Sequence, residues 1–443
     1  MGKITFMGAG SAAFAKNVLG DCMLSPALRD FEIALYDINP ERLEESFIMV
    51  STLNKNINEG RAKIKKYLGV ENRKEALRGA NFVVNTVQVG LYKPCTVTDF
   101  EIPKKYGLRQ TIGDTLGIGG IFRALRTIPV LEEFAMDMAE VCPDAWLLNY
   151  SNPMAMNAGF LQRYMPIKSI GLCHSVQVCS SRLLKNLGIE YKGPVRERIA
   201  GINHMAWLLE IEDADGNDLY PEIRRRAIET LERHLNEGHW HDDLIRYDYI
   251  RRLGYYCTES SPHNSEYNNF YIKSKYPDLI KKYHIPLDQY PQTCEYLINR
   301  WKEEREKLLA GDLSHERTHE YASYIMEAMV TDKPYKIGGN VINNGLIPNL
   351  PDEACVEVSC MVSKYGIEPC RQPALPPQLA AMNMTNINVQ LLTIEAAVTK
   401  KKEHIYQAAM MDPHTSSELS IDDIVAMCDD LIEAHKGWLP EYH

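Results

Sequence analysis

The chain opens on a short, mostly apolar run, Lys3 to Met7, which reads as a buried strand. Gly8-Ala9-Gly10-Ser11 follows as a turn, and Ala12 to Leu24 carries a helical pattern. A second apolar run, Phe31 to Tyr36, ends at Asp37, and Asn39-Pro40 opens another helix through Arg42 and Glu45. Phe82 to Val89, Ala145 to Leu148 and Ser169 to Leu172 read as three further buried strands. Strands alternating with helices predict an α/β fold with a Rossmann-like, doubly wound parallel sheet, assigned to residues 1–195.

Beyond about Ile199 the pattern changes. Residues 215–335 are rich in Arg, Lys, Glu and Tyr, with helical periodicity in places. Val356 to Val362 reads as a strand, Pro373 to Pro377 as a loop, and Ala380 to Leu439 as largely helical. We expect an α+β domain over 196–443 that carries catalytic, substrate and subunit contacts. No Gly/Ser-rich linker separates the two parts, so a large shared interface is expected.

Composition narrows the function. The 443 residues are 45% hydrophobic, enough for a sizeable core. A net charge of -10 points away from nucleic acid and anionic membranes. No run of apolar residues is long enough for a transmembrane helix, and the start leads straight into a strand pattern rather than a signal peptide. A cytoplasmic enzyme is expected. The 11 cysteines show no framework spacing and no CxxC pair. They read as free thiols, and any metal site must be assembled from distant positions.

Gly8-Ala9-Gly10-Ser11-Ala12-Ala13 fits the G-x-G-x-x-G/A pattern in the strand-to-helix setting that a dinucleotide requires. Gly8 permits the tight turn, Gly10 lets the backbone approach a pyrophosphate, and Ala13 is expected to let the helix pack on the sheet. The helix N-terminus offers N–H groups to the phosphates. Asp37, ending the second strand, suits the adenosine ribose hydroxyls and favours NAD over NADP. Asn85 is a candidate for the nicotinamide ribose. A second set of chemistry lies at Cys173-His174-Ser175, after the fifth strand, and at Asn203-His204. Cys173 and His204 are candidate ligands of a divalent metal, although each residue type is more often a core group.

These segments occur in order with Asp114-Thr115-Leu116-Gly117, Asn149-Tyr150-Ser151-Asn152-Pro153, Thr258-Glu259-Ser260-Ser261, Thr385-Asn386-Ile387-Asn388 and Met410-Met411-Asp412-Pro413-His414. The series resembles glycoside hydrolase family 4 over nearly the whole chain, and within it the melibiose-cleaving α-galactosidases. The resemblance implies a fold like the lactate and malate dehydrogenases, with retained NAD and a divalent metal, usually Mn²⁺, on Cys173 and His204. It implies a chemistry without the usual carboxylate pair of glycosidases. Hydride passes from sugar C3 to NAD, a base takes the C2 proton, the glycosidic oxygen leaves, water adds at C1 and the hydride returns.

His174 is then the candidate general acid, replacing an aspartate usual in the phosphoglycosidase members. For the C2 base, Tyr267, His263 and Glu259 stay open. Asn149, Asn152 and Asp114 are candidate substrate contacts, although such residues also favour turns. The phospho-sugar members carry an arginine after the third strand. Here Cys95 stands nearest, with Lys93 close by, so an unphosphorylated α-galactoside is expected. An α-galacturonide or α-glucoside is the alternative within the family. Outside it, a hydroxyacid dehydrogenase and a dinucleotide-sensing regulator are the rivals. A homodimer or homotetramer is expected by analogy.

Overall fold

The computed structural model describes residues 2–311 and 313–443. Its spine is one twelve-stranded sheet. Strands β1 (Lys3–Met7), β2 (Glu32–Asp37), β3 (Ile64–Leu68), β4 (Phe82–Asn85), β5 (Trp146–Asn149) and β6 (Lys168–Gly171) form a parallel array in the order 3-2-1-4-5-6. That order places a switch point beside β1, where the first turn opens to ligands. The central strands are apolar on both faces because helices cover both. Ile4, Phe6, Val83, Val84, Leu147 and Leu148 are all fully buried, each contributing about 1.5–3 kcal/mol.

The sheet does not stop at residue 195. Strands β7 (Arg196–Ile202) and β8 (Met205–Glu212) form a hairpin, and β9 (Tyr256–Cys257) pairs with β8. Strand β10 (Tyr335–Ile342) runs antiparallel to β6 and to β11 (Cys355–Ser363), which in turn meets β7; β12 (Gly366–Pro369) pairs with β11. One lateral row, Gly171–Asn340–Glu357–Gly201, therefore crosses four strands. It brings the end of β6 level with the end of β7, and so Cys173 toward His204.

Several expectations need correction. The strand from Phe82 ends at Asn85 and not at Val89. Its neighbour β5 ends opposite it at Asn149, and the next carbonyls turn to side chains, Val87 O accepting from Ser151 Oγ at 2.7 Å. Ala13 is exposed, and the close packing of helix Ala12–Leu24 falls to the buried Ala15. Strands β3, β7, β8, β9, β10 and β12 had no counterpart in the sequence reading. The C-terminal stretch is helical as expected: Pro377–Thr399, Lys402–Met411, Pro413–Glu418 and Ile421–Ala434. Among the described residues no helix is long and apolar enough to cross a membrane.

Candidate active site

The first turn is built for close approach. Gly8 has φ +84°, and a Cβ there would lie 3.0 Å from the backbone N of Val87. A Cβ on Gly10 would lie 2.7 Å from Asp37 Oδ2 and 2.9 Å from Arg42 Cβ. Side chains are excluded from both positions, so the backbone is laid open. Ser11 caps the N-terminus of Ala12–Leu24 by position, but its side chain makes no capping bond. Asp37 accepts from Gly10 N at 2.6 Å and from Asn39 N at 2.8 Å. This cradle fits a dinucleotide pyrophosphate with its ribose toward Asp37.

Asn85 and Asn149 sit at the ends of β4 and β5 and are fully buried. Asn85 Nδ2 donates to Asn149 Oδ1 at 2.7 Å and to Ser151 Oγ at 3.2 Å, while Asn149 Nδ2 donates to Ser151 O at 3.2 Å. The two amides face each other across adjacent strands, and neither is presented to the crevice.

Three segments meet at the second cluster. Cys173 follows β6 and caps helix His174–Asn186. His204 occupies the two-residue turn between β7 and β8 at φ +62°. Glu259 follows β9 at φ +65°. Two non-glycine residues in the left-handed region are a cost of about 1–3 kcal/mol each, and such strain concentrates at functional sites. One ligand atom from each of Cys173, His204 and Glu259 lies within 4.8 Å of the others. His204 Nε2 stands 3.8 Å from Glu259 Oε2. A sulfur, an imidazole nitrogen and a carboxylate oxygen around one point fit a divalent ion with positions left open for substrate.

The remaining candidates surround this point. Tyr267 is fully buried, and its hydroxyl lies 3.2 Å from His204 Nδ1. That contact fixes which ring nitrogen turns to Glu259. His263, on the short helix Ser261–Glu266, places Nε2 3.7 Å from Asp114 Oδ1 and Nδ1 3.4 Å from Glu259 Oε1. Asn152 Nδ2 donates to Asp114 Oδ2 at 3.3 Å. So Asp114, Asn152, Cys173, His204, Glu259, His263 and Tyr267 converge. His174 stands slightly apart, half exposed, its Nε2 2.7 Å from Glu320 Oε2 and its ring beside Phe14, Tyr150 and Tyr321. Phe14 belongs to the helix that follows the glycine turn, so the two clusters share one crevice.

The electrostatics are uneven. Burial lowers the His204 pKa, but Cys173 and Glu259 outweigh it and raise the imidazole to about 10. Burial raises Glu259 and Asp114, yet both end below the usual carboxylate range. His204 and His263 do this for Glu259, and His263 and Arg123 for Asp114. Burial pushes the Tyr267 phenol well up. Near neutral pH the carboxylates are thus ionised and the phenol is not.

Residue-by-residue reading missed four groups. Glu266 is buried and accepts from the backbone amides of Thr111 at 2.7 Å and Gly113 at 2.8 Å, holding the loop that ends in Asp114. Glu320 orients His174. Arg123 and Glu357 are buried beside the cluster. Only Glu266, directly before Tyr267, carried any signal.

Comparison with known proteins identifies the family. Residues 3–189 match the model of family 4 glycosyl hydrolases, and residues 199–415 match that of the family 4 glycosyl hydrolase C-terminal domain. The chain is 58% identical over 443 residues to an α-galactosidase of Bacillus subtilis, covering 100% of both. It is 32% identical over 450 residues to an α-galactosidase of Rhizobium meliloti, covering 99% of this chain and 89% of the relative. In fold it is similar to a 6-phospho-β-glucosidase of Thermotoga maritima solved with manganese, NAD⁺ and glucose-6-phosphate, with TM-score 0.77, 21% identity, and 99% of this chain and 100% of that one covered. The chain belongs to family 4 of the glycosyl hydrolases.

Proposed function

We propose that the protein is an α-galactosidase that hydrolyses unphosphorylated, melibiose-like α-galactosides with NAD and a divalent metal, Mn²⁺ by preference. The observation that carries this reading is the Cys173–His204–Glu259 cluster, set in one crevice with the glycine turn. The full-length identity to α-galactosidases supports the sugar. NAD would lie along Gly8, Gly10, Ser11 and Asp37, with Asn85 behind the nicotinamide end. The metal would be held by Cys173, His204 and Glu259. Bound there, the pair supplies hydride transfer at C3 and Lewis-acid polarisation of the resulting carbonyl.

The chain's own residues supply positioning and proton movement. Tyr267 orients His204 through Nδ1. His263, 3.4 Å from the ionised Glu259, takes the C2 proton. Asp114 steadies His263 from its other side, and with Asn152 it contacts sugar hydroxyls, with Asn149 buttressing that loop. His174 protonates the leaving oxygen, and Glu320 stabilises the imidazolium that does so.

A neutral sugar is favoured by the region after β4. Cys95 is fully buried, and the guanidinium nearest it, Arg126, is bidentate on Asp99. That leaves it no fork for a phosphate. The division at residue 195, a symmetric dimer or tetramer and a cytoplasmic setting belong to the same proposal. Eleven free cysteines agree with the last.

The test is hydrolysis of 4-nitrophenyl α-galactoside with NAD, Mn²⁺ and a thiol reductant each present or omitted, run in D₂O. Dependence on NAD and metal, with deuterium at C2 of the released galactose, is expected. Hydrolysis indifferent to NAD, or without the C2 label, sinks the mechanism. Turnover only of a galacturonide or glucoside changes the sugar. Metal-independent oxidation of a hydroxyacid returns the reading to a dehydrogenase.

A further inference from the structure

Helix Gly117–Val141 carries two buried arginines one turn apart. Arg126 has all three guanidinium nitrogens bonded, two to Asp99 at 3.1 and 2.6 Å and one to Val89 O at 3.1 Å. Arg123 is only 7% exposed, yet among the described residues no carboxylate lies within ion-pair distance of it. Its one hydrogen bond is a long one, Nη1 to the Tyr290 hydroxyl at 3.4 Å, with the guanidinium carbon 5.6 Å from that ring's centre. None of its nitrogens is among the buried atoms left without a partner, so the donors not held by Tyr290 reach open space, where a ligand can take them.

The surroundings say where that ligand lies. Asp114 is near enough for each group to favour the other's charged form, against burial. Asp114 is already tied to Asn152 and His263 in the candidate site. Tyr290 is pinned to the same loop, its N–H donating to Thr111 O at 3.1 Å, while Asp288 N–H donates to Gln110 O at 2.9 Å. Arg123 is therefore held at the wall of the sugar site, between the Asp114 loop and Tyr290. As a pair, Asp114 and Arg123 carry no net charge. They offer one strong acceptor and a fork of donors, which matches two neighbouring hydroxyls better than an added anion.

We propose that Arg123, beside the Asp114 loop, is a specificity-determining residue that donates to the sugar hydroxyls at C4 or C6. This rests on the α-galactosidase reading, in which C1, C2 and C3 are already engaged by the leaving group, base, metal and hydride acceptor. The galactose–glucose difference lies at C4, so some group outside the metal cluster must read it.

The experiment compares kcat/KM on 4-nitrophenyl α-galactoside and its 4-deoxy and 6-deoxy analogues, for the unsubstituted enzyme, Arg123→Met and Arg123→Lys. Arg123→Met should lose about 10- to 150-fold on the parent sugar, the range for hydrogen bonds to a charged group. On the analogue lacking the contacted hydroxyl, the loss should shrink to within about threefold. Arg123→Lys, which keeps the charge without the fork, should fall between and serves if the Met variant folds poorly. NAD affinity and the thermal midpoint should hold. Equal loss on all three sugars overturns the proposal while leaving the α-galactosidase reading intact. An unsubstituted enzyme silent on the galactoside, with Arg123-dependent turnover of a galacturonide, overturns both the neutral sugar and the hydroxyl contact.

Discussion

Two of the molecule's clusters of ionisable side chains are finished to different degrees. In one, Asp99 is bidentate on Arg126 and also meets His435 Nε2 at 2.8 Å, with all three residues at most 2% exposed. Apart from His435 Nδ1, its polar atoms are bonded within the protein. In the other, one ligand atom from each of Cys173, His204 and Glu259 lies within 4.8 Å of the others, with His204 and Glu259 in ion-pair contact at 3.8 Å, on two strained backbone positions. The first cluster saturates its valences because its task is to hold helices together. The second turns three ligand atoms toward a point that, in the function proposed above, a metal completes. Charge is alike in both, but the first is sealed while Cys173 is half-buried and the Glu259 side chain is 23% exposed, so what sets the second apart is access to chemically apt side chains.

The sharpest way to break this comparison is to remove a ligand. Cys173→Ala and His204→Ala should each lower kcat/KM for an α-galactoside by about 10³-fold or more, the loss of a Lewis acid at the reacting carbonyl. Calorimetric titration should show Mn²⁺ binding lost as well, with the fold retained. Near-normal turnover by either variant would put the metal elsewhere. Next in size, Arg126→Met should destabilise the fold by about 3–5 kcal/mol by stranding Asp99. Denaturant unfolding reads this, and Mn²⁺ affinity should not move. Burial raises the Asp99 pKa, but Arg126 and His435 carry it below the ordinary value. A depressed carboxylate contributes stability above its unfolded pKa that is lost as pH falls through the folded one. The variant's deficit should therefore be widest near neutral pH and narrow as acid protonates Asp99, and a deficit independent of pH would remove Asp99 from the account.

The two clusters were unequally legible in the sequence. Gly8, Gly10 and Asp37 could be read directly, because a tight turn and a close backbone approach are local demands. Cys173 and His204 drew attention through their order among other segments, since 31 positions separate them and the sheet that joins them was only half foreseen. Strand β10 went unseen because Gly338 and Gly339 interrupt its apolar run. A Cβ at either would come within 2.8 Å of Val176 or Cys360, so their smallness is dictated by tertiary neighbours. Strand β3 carries Lys65 and Lys66 on the sheet's edge, where charge is useful and periodicity weak. Glu320 and the Tyr290 contact of Arg123 could not be singled out, because each rests on a partner more than 145 residues away.

Glu357 tests whether openness extends beneath the metal point. It is fully buried, Oε1 accepting from Asn340 at 3.0 Å, while Oε2 has no hydrogen-bond partner. Burial raises its pKa to about 7, with His204 pulling the other way. A raised carboxylate binds its proton more tightly when folded. Stability is then greatest below the unfolded pKa, falls as pH climbs through about 7, and levels off above. Glu357→Gln in chelator-treated protein should accordingly gain about 1–3 kcal/mol above pH 7 and nothing near pH 4. A uniform loss at both pH values would place Glu357 with the closed cluster instead.

Asp37 is the intermediate case and gives the smallest effect. Both its oxygens already accept from backbone amides, Gly10 N and Asn39 N, so it helps to hold the turn. Yet a carboxylate has about four acceptor directions, and two remain for ribose hydroxyls. Asp37→Ser keeps one short acceptor for the turn and gives up the charge. NAD should weaken about tenfold, roughly 1.4 kcal/mol, while NADP, no longer repelled, should gain relative to it. Fluorescence titration with both cofactors separates the two roles. If Asp37 were purely structural, both would weaken equally and the preference would stay; a changed NAD/NADP ratio shows that the valences it keeps open are the ones the cofactor uses.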